Sequence, residues 1–208
     1  MAERSVAIVH TGAANLASVL AVFSRIGVAA RVTSDANDVA ESAAVVLPGV
    51  GAFGAAAEGL ASGGLGEALR DRIGRDEPTL AICLGFQLLA AESAESPGVV
   101  GLGVFESAIE PVPAEGLAVP HLGWNRVRAG KGCALLESDA MYFANSFALV
   151  QPPPGWASAT TVYGERFTAA VERGRVLACQ FHPELSGPAG RSLIERWLVA
   201  ARLEPAAC

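Results

Sequence analysis

Short apolar runs alternate with amphipathic stretches along the first half of the chain. The apolar runs have the length of buried strands, and they cover residues 6–9, 29–33, 43–47 and 78–82. The amphipathic stretches predict helices over residues 15–25, 54–60 and 65–74, with Asp35 as the cap of a further short helix. This alternation of strand and helix predicts a parallel sheet that is covered by helices on both faces.

The second half of the chain has a different rhythm. After residue 91 come short β-rich segments separated by turns at 97–98, Gly116 and Gly130, and residues 192–202 predict a closing amphipathic helix. No repeat, low-complexity tract or linker divides the sequence. We therefore expect one domain over residues 1–208, with an α/β fold in which an open, mostly parallel sheet is flanked by helices and followed by a β-rich C-terminal part.

Composition narrows the classes of protein that fit. Hydrophobic residues make up 51% of the chain and charged residues only 17%, which suits a sheet that is buried on both faces. The net charge of −6 and the lack of a Lys/Arg cluster argue against nucleic acid as a partner. Polar residues between positions 10 and 15 interrupt the uncharged stretch near the N-terminus, so we expect no membrane span. Glu3 and Arg4 precede a predicted strand rather than an apolar region with a cleavage site, so we expect no signal peptide.

The cysteines Cys83, Cys133, Cys179 and Cys208 show neither CxxC spacing nor the spacing of metal ligands. We interpret them as reduced thiols of a cytoplasmic protein, and we expect no metal and no cofactor. Cys179 has the setting of a packed core residue and Cys208 that of an inert terminal thiol, whereas Cys133 has no evident role.

Cys83 lies directly between an apolar strand and a stretch rich in Leu and Ala. This is the pattern of a nucleophile elbow, in which a sharp strand-to-helix turn presents a reactive side chain. The small residues Ala81 and Gly85 permit close packing around such a turn, and a helix N-terminus favours the thiolate. We expect Cys83 to point at solvent above the sheet edge. A buried strand cysteine is the alternative, and the motif alone leaves both open.

A second motif offers partners for such a cysteine. An apolar run ends in His182-Pro183-Glu184, and Pro183 biases His182 toward an extended conformation. Alternate residues of an extended segment face the same side, so we expect Glu184 to turn toward His182. A nucleophile, a base and a carboxylate that orients the base form a Cys-His-Glu triad. The chain has only three histidines, which leaves few rival bases.

Residues 47–54 form a glycine-dense loop after the third predicted strand, at the edge where open α/β sheets bind ligands. Such a loop can cradle phosphate, form an oxyanion hole or be a plain turn. No Walker Lys-Ser or Lys-Thr pair follows, and no ribose-binding acid stands at the distance that the dinucleotide fingerprint requires. With a nucleophilic cysteine on the neighbouring strand, an oxyanion hole fits best, and its donors are the backbone N–H groups of Val50 and Leu84.

The glycine loop, the elbow cysteine and the His-Pro-Glu segment follow one another along the chain. Together they resemble class I (triad) glutamine amidotransferases, which have a flavodoxin-like fold. More narrowly, the chain resembles the glutaminase subunits of imidazole glycerol phosphate synthase. The segment Pro-His-Leu-Gly-Trp-Asn at 120–125 is the most specific to that subfamily. The matching segments span most of the chain and cover residues 12–19, 47–54, 82–89, 119–127, 142–147 and 180–190.

The resemblance implies an activity and a partner. Cys83 would attack the side-chain amide of L-glutamine, with His182 as base and Glu184 orienting it. The ammonia would pass to a (β/α)₈-barrel cyclase in a heterodimer, which makes imidazole glycerol phosphate and aminoimidazole carboxamide ribotide in histidine biosynthesis. The resemblance also implies that glutamine is held by Gly51, Gln87 and the backbone of Asn145, Ser146 and Phe147.

The resemblance assigns the subunit interface and ammonia gate to Asn15, His121, Trp124, Asn125 and Leu185. The loop that carries His121 and Trp124 can equally cap the core. Where the family has Lys after His-Pro-Glu, this chain has Leu185, which cannot pair with a cyclase carboxylate, so we expect the partner surface to differ as well. One alternative is therefore a paralogous glutaminase that feeds a different ammonia-accepting synthase in specialised metabolism. A binding subunit with a silent triad is another.

Overall fold

The computed structural model describes residues 5–12 and 15–203. Ala13 and Ala14 of the predicted first turn, and Cys208, lie outside the described residues. The strands are β1 Val6–Val9, β2 Ala30–Thr33, β3 Ala44–Gly49, β4 Thr79–Cys83, β5 Ala90–Ser93, β6 Phe105–Pro111, β7 His121–Ala129, β8 Asp139–Asn145, β9 Phe147–Ala148, β10 Ala157–Tyr163, β11 Glu165–Arg173 and β12 Val176–Cys179. The helices are α1 Leu16–Ile26, α2 Ala36–Glu41, α3 Phe53–Ala61, α4 Leu65–Gly74, α5 Leu84–Gln87 and α6 Gly187–Ala200.

A nine-stranded sheet runs through the molecule in the order β2-β1-β3-β4-β12-β11-β10-β7-β8. The pairings from β2 to β12 are parallel, and those from β12 to β8 are antiparallel. The expected parallel sheet is therefore the half built from the N-terminal elements and β12, and the β-rich C-terminal part extends it as an antiparallel half. A smaller sheet has the order β5-β6-β9.

The central strands are buried on both faces because helices cover each side. Alternate residues of a strand point to opposite faces, so Ile82 belongs to the hydrophobic cluster under α1 and α6, whereas Ala81 belongs to the one under α3 and α4. Trp197 of α6 is fully buried on the first face and Leu69 of α4 on the second. In the described ranges, no helix combines the length and the apolarity that a bilayer crossing needs.

Local signals explain the helix ends near the candidate site. The Asn15 side chain accepts a hydrogen bond from the Ser18 N–H, and Gly27 ends α1 in a left-handed conformation. Asp35 caps α2 as expected, with its carboxylate accepting from two backbone N–H groups. The closing helix starts earlier than its apolar pattern predicts, at Gly187, since its first turn packs against the loop that carries His182.

Candidate active site

Cys83 ends β4 in a conformation that side chains rarely adopt, with φ of 53° and ψ of −109°, and α5 starts at the next residue. The turn is sharp because Gly85, two positions after Cys83, has no side chain and lets α5 pack closely on β3. A Cβ atom on Gly85 would lie 1.9 Å from the Leu47 carbonyl oxygen, so only glycine fits there. Backbone strain of this kind persists only where the surrounding structure holds it, and it is concentrated at functional sites.

The sequence predicted that the Cys83 side chain points at open solvent. That prediction is wrong, because Cys83 is buried, with a relative exposure of 7%. It lines a cavity of about 380 Å³ above the ends of the parallel strands. The C-terminal half of the sheet and its loops build the opposite wall, which the elbow motif alone could not reveal. The cavity also collects the residues predicted for the oxyanion hole and the substrate, namely Val50, Gly51, Leu84, Gln87, Asn145, Ser146 and Phe147.

His182 lines the same cavity, and Glu184 lies directly behind it. The His182 Nδ1 atom is 2.8 Å from Glu184 Oε1, and the two side chains are 8% and 2% exposed. The contact itself was expected, but from an extended segment whose alternate side chains face the same side. That backbone prediction is wrong, because Pro183–Leu185 forms a 3₁₀ turn. The turn brings the carboxylate back to the imidazole. The Ser186 hydroxyl donates to the His182 carbonyl oxygen and accepts from the Tyr142 N–H, which fixes the turn on β8.

The charges around His182 decide where its proton resides. Burial alone would lower the pKa of His182, but hydrogen bonds to Cys83 and Glu184, and the charges of both groups, raise that pKa to about 10. The imidazole is therefore protonated at neutral pH and places a positive charge beside Cys83. The Nδ1–H bond to Glu184 leaves Nε2 as the nitrogen that faces the reaction.

Two buried amides join the nucleophile to the opposite wall of the cavity. Gln87 Nε2 donates to the Phe147 carbonyl oxygen at 2.9 Å and to Gln180 Oε1 at 3.0 Å, and Gln180 Nε2 in turn lies 3.7 Å from Cys83 Sγ. A carbonyl oxygen can only accept, so the Phe147 carbonyl requires the Gln87 NH₂ group to face it, and this series of hydrogen bonds then sets which end of the Gln180 amide is the oxygen. Gln180 therefore holds a hydrogen-bond donor on the sulfur. Sequence reasoning missed this residue, although its position two residues before His182 was a signal.

Asn145 and Glu95 contribute polar groups to the cavity. Asn145 Nδ2 donates to the Phe147 carbonyl oxygen, whereas its buried Oδ1 has no hydrogen-bond partner among the described residues. One oxygen of Glu95 accepts from the Phe53 N–H at 2.7 Å. Glu95 was also missed, since it lies in a loop without a motif. Acceptors at this wall suit a cationic amino group of a ligand.

A search against family models matches residues 8–201 to the glutamine amidotransferase class-I family. The chain belongs to this family. A relative from Methanothermobacter thermautotrophicus, imidazole glycerol phosphate synthase subunit HisH, is 41% identical over 200 residues, which cover 95% of this chain and 99% of the relative. The chloroplastic imidazole glycerol phosphate synthase hisHF of Arabidopsis thaliana is 37% identical over 93% of this chain and 34% of its own length.

Solved structures agree with this amidotransferase at the level of the fold. The crystal structure of a glutamine amidotransferase superposes with a TM-score of 0.76 at 22% identity, covering 95% of this chain and all of the other. Likewise, PurLQS from Thermotoga maritima contains a chain with a TM-score of 0.73 at 16% identity. The mixed sheet flanked by helices is thus the class-I amidotransferase fold.

The residues assigned to the gate divide into a buried and an exposed set in this amidotransferase. His121 is 2% exposed and stacks on Tyr163, with ring centroids 4.0 Å apart, and burial lowers its pKa. Asn125 Nδ2 lies 3.3 Å from His121 Nε2 and donates to the Val162 carbonyl oxygen. The predicted loop is wrong for these residues, because His121 and Trp124 both lie on strand β7, whose alternate side chains face opposite sides. The His121 ring lies in the aromatic core beneath the strand.

Trp124 and Leu185, in contrast, lie at the surface, with relative exposures of 58% and 41%. Trp124 packs edge-on against Tyr142, whose carbonyl oxygen accepts from the His182 N–H. Asn15 faces a small cavity that it shares with Val50, His182 and Glu184. An exposed tryptophan so close to the triad is a feature of a protein-binding surface.

Proposed function

We propose that the chain is the glutaminase subunit of imidazole glycerol phosphate synthase, and that residues 1–208 act as one amidotransferase domain. In this proposal it hydrolyses L-glutamine to glutamate and ammonia. The observation that carries the proposal is the convergence of Cys83, the His182–Glu184 pair and the Val50–Leu84 backbone at one cavity of about 380 Å³. Relatives named HisH, at 34–41% identity over most of the chain, support it.

The first half of the reaction forms a thioester. The Cys83 thiolate attacks the amide carbon of glutamine, and the negative charge moves to the carbonyl oxygen. The N–H groups of Val50 and Leu84 stabilise that oxyanion, and each such donor typically contributes ~10²–10³ in rate. His182 then donates its Nε2 proton to the nitrogen as the carbon–nitrogen bond breaks, so that ammonia leaves and neutral His182 remains.

The second half regenerates the enzyme. Neutral His182 takes a proton from a water molecule that attacks the thioester carbon. The carbon–sulfur bond breaks, glutamate leaves, and the thiolate–imidazolium pair forms again. Glu184 keeps Nδ1 protonated throughout, which holds Nε2 in the role of both acid and base.

The substrate's α-amino and carboxylate groups are held by different parts of the cavity wall. The Glu95 carboxylate and the unpaired Asn145 Oδ1 are acceptors for the ammonium group. The backbone N–H groups of Ser146 and Phe147 offer donors for the carboxylate. Gln87 contributes only its carbonyl oxygen, because its amide hydrogens are used within the protein.

We further propose that ammonia passes to a (β/α)₈-barrel cyclase subunit in a cytoplasmic heterodimer, which makes imidazole glycerol phosphate and aminoimidazole carboxamide ribotide. The exposed Trp124 and Leu185 beside the triad support a partner at this edge. Leu185 also favours the second candidate, a paralogous glutaminase that feeds another synthase. An apolar side chain at this position packs best against an apolar residue of the partner, because a partner carboxylate opposite it would be left without a cation.

Isotope transfer tests the proposal. The chain is mixed with the cyclase of the same organism, its nucleotide substrate and glutamine labelled with ¹⁵N in the amide. We expect label in the imidazole ring of the product with the wild-type chain and none with Cys83→Ala. Absence of labelled product, from a wild-type chain in which a glutamine-analogue electrophile still modifies Cys83, would reject this pathway and support the paralogous glutaminase.

A further inference from the structure

Sheet pairing brings together three arginines that are scattered in the sequence. Arg126 and Arg128 lie two residues apart on β7 and so face the same side, and Thr160 of β10 pairs with Arg128. Arg166 of β11 pairs with Val162 of β10. All three arginines are exposed and line one surface pocket of about 320 Å³. We call these residues, Arg126, Arg128 and Arg166, the arginine face.

The charge of the arginine face is not compensated within the described part of the chain. In residues 5–12 and 15–203, none of its three guanidinium groups makes an ion pair or a side-chain hydrogen bond, whereas Arg72, Arg75 and Arg196 do. Like charges on neighbouring strands repel and are destabilising. The protein as a whole carries a net charge of −6, so this cationic patch contrasts with the rest of the surface.

The arginine face continues an apolar surface along the same strand. Trp124 and Leu122 precede Arg126 at alternate positions of β7 and are 58% and 63% exposed. Val162, between the arginines, is 54% exposed. A surface with an apolar centre and a charged rim is typical of a protein interface.

The lining of the pocket argues against a small anion as its ligand. Thr161 is the buried hydroxyl of the pocket, and it already donates to the Arg126 carbonyl oxygen at 3.0 Å. The charged donors of the pocket are the three guanidinium groups of the arginine face. They are exposed and make no hydrogen bond within the described residues, so they form a poorly ordered site for a lone phosphate. A nucleic acid would meet the acidic remainder of the surface. The surface therefore fits a folded partner with carboxylates at its rim.

We propose that the arginine face docks on an acidic surface of the cyclase subunit and extends the interface from Trp124 across β7, β10 and β11. This inference rests on the proposed function, which supplies the partner. Its role is to steer and orient the cyclase, because charges at the rim of an interface act mainly on the association rate and on its salt dependence.

Binding to the cyclase of the same organism tests the docking proposal. The dissociation constant is measured by calorimetry at about 30 mM and about 300 mM NaCl. The Debye length exceeds 10 Å at the lower concentration and falls well below 10 Å at the higher one, so charge attraction across the interface is screened only there. The variant is Arg126→Gln/Arg128→Gln/Arg166→Gln. The control, Arg25→Gln/Arg70→Gln/Arg202→Gln, removes the same charge from exposed arginines elsewhere.

We expect the triple variant to bind roughly 10- to 100-fold more weakly at low salt, with a smaller salt dependence than the wild type. The control should bind as the wild type does, and all three proteins should react equally with a glutamine-analogue electrophile at Cys83. A triple variant with wild-type affinity at both salt concentrations would overturn the docking proposal alone. A wild-type chain that does not bind the cyclase would overturn the partner assignment together with it.

Discussion

The contact between Glu184 and His182 can be tested by removing one charge without changing the shape of the site. Glu184→Gln keeps the side-chain volume and an oxygen that can accept the Nδ1–H bond, which is 2.8 Å long in the wild type. What it removes is the negative charge that, together with Cys83, raises the pKa of His182 to about 10. The variant should therefore lose the His182 proton at a lower pH.

The size of the effect follows from the hydrogen bond. The variant keeps the bond but loses the carboxylate charge, and the difference between a hydrogen bond to a charged group and an ordinary one is about 1–2 kcal/mol. A change of 1.36 kcal/mol corresponds to one pKa unit. The imidazolium protonates the departing ammonia, so glutaminase activity falls on the alkaline side as that proton is lost. We expect this alkaline limb to move toward neutral pH by about one unit in Glu184→Gln.

The assay is the pH profile of glutamate release in the presence of the cyclase, with Glu165→Gln as the control for an exposed glutamate. The control should follow the wild-type profile. If Glu184→Gln folds normally and keeps its alkaline limb in the wild-type position, Glu184 does not hold the His182 proton, and the electrostatic argument for the triad fails.

Further substitutions address the nucleophile, its hydrogen bond and its turn. Cys83→Ala should abolish glutamate release, whereas Cys179→Ala should retain it. Cys179 is fully buried, and burial raises the pKa of its thiol, so it does not act as a nucleophile. Equal activity of the two variants would contradict a single nucleophile. Gln180→Leu removes the donor 3.7 Å from Cys83 Sγ and should slow electrophile trapping about tenfold, and a wild-type trapping rate would leave Gln180 without a role at the sulfur. Gly85→Ala places a Cβ 1.9 Å from the Leu47 carbonyl oxygen and should lower the free energy of unfolding in urea by about 1–3 kcal/mol or more; unchanged stability would mean that the elbow relaxes easily.

The parts of the fold that were predictable depend on neighbours in sequence. Strand β1, the Asn15 and Asp35 caps and the Gly27 helix end follow from local patterns, and the structure contains each of them. The elbow at Cys83 was also predictable, because the glycine that permits it, Gly85, is only two positions away in sequence. Backbone chemistry at these positions permits few alternatives.

The parts that were not predictable depend on distant contacts. Gln180 meets Gln87 across 93 positions of sequence, and no motif announces that pair. The three arginines of the arginine face are brought together by the register of β7, β10 and β11. They are not consecutive in sequence, so a search for runs of charged residues does not find them. The burial of Cys83 likewise comes from walls supplied by the C-terminal half of the chain.

Glutamate release from glutamine by the purified chain, alone and with the ligand-loaded cyclase, tests the central claim most directly. The account predicts little release by the chain alone, a large rise on addition of the cyclase, and no release by Cys83→Ala in either case. Release that does not respond to the cyclase, or that survives in Cys83→Ala, would contradict a partner-coupled glutaminase built on this cysteine.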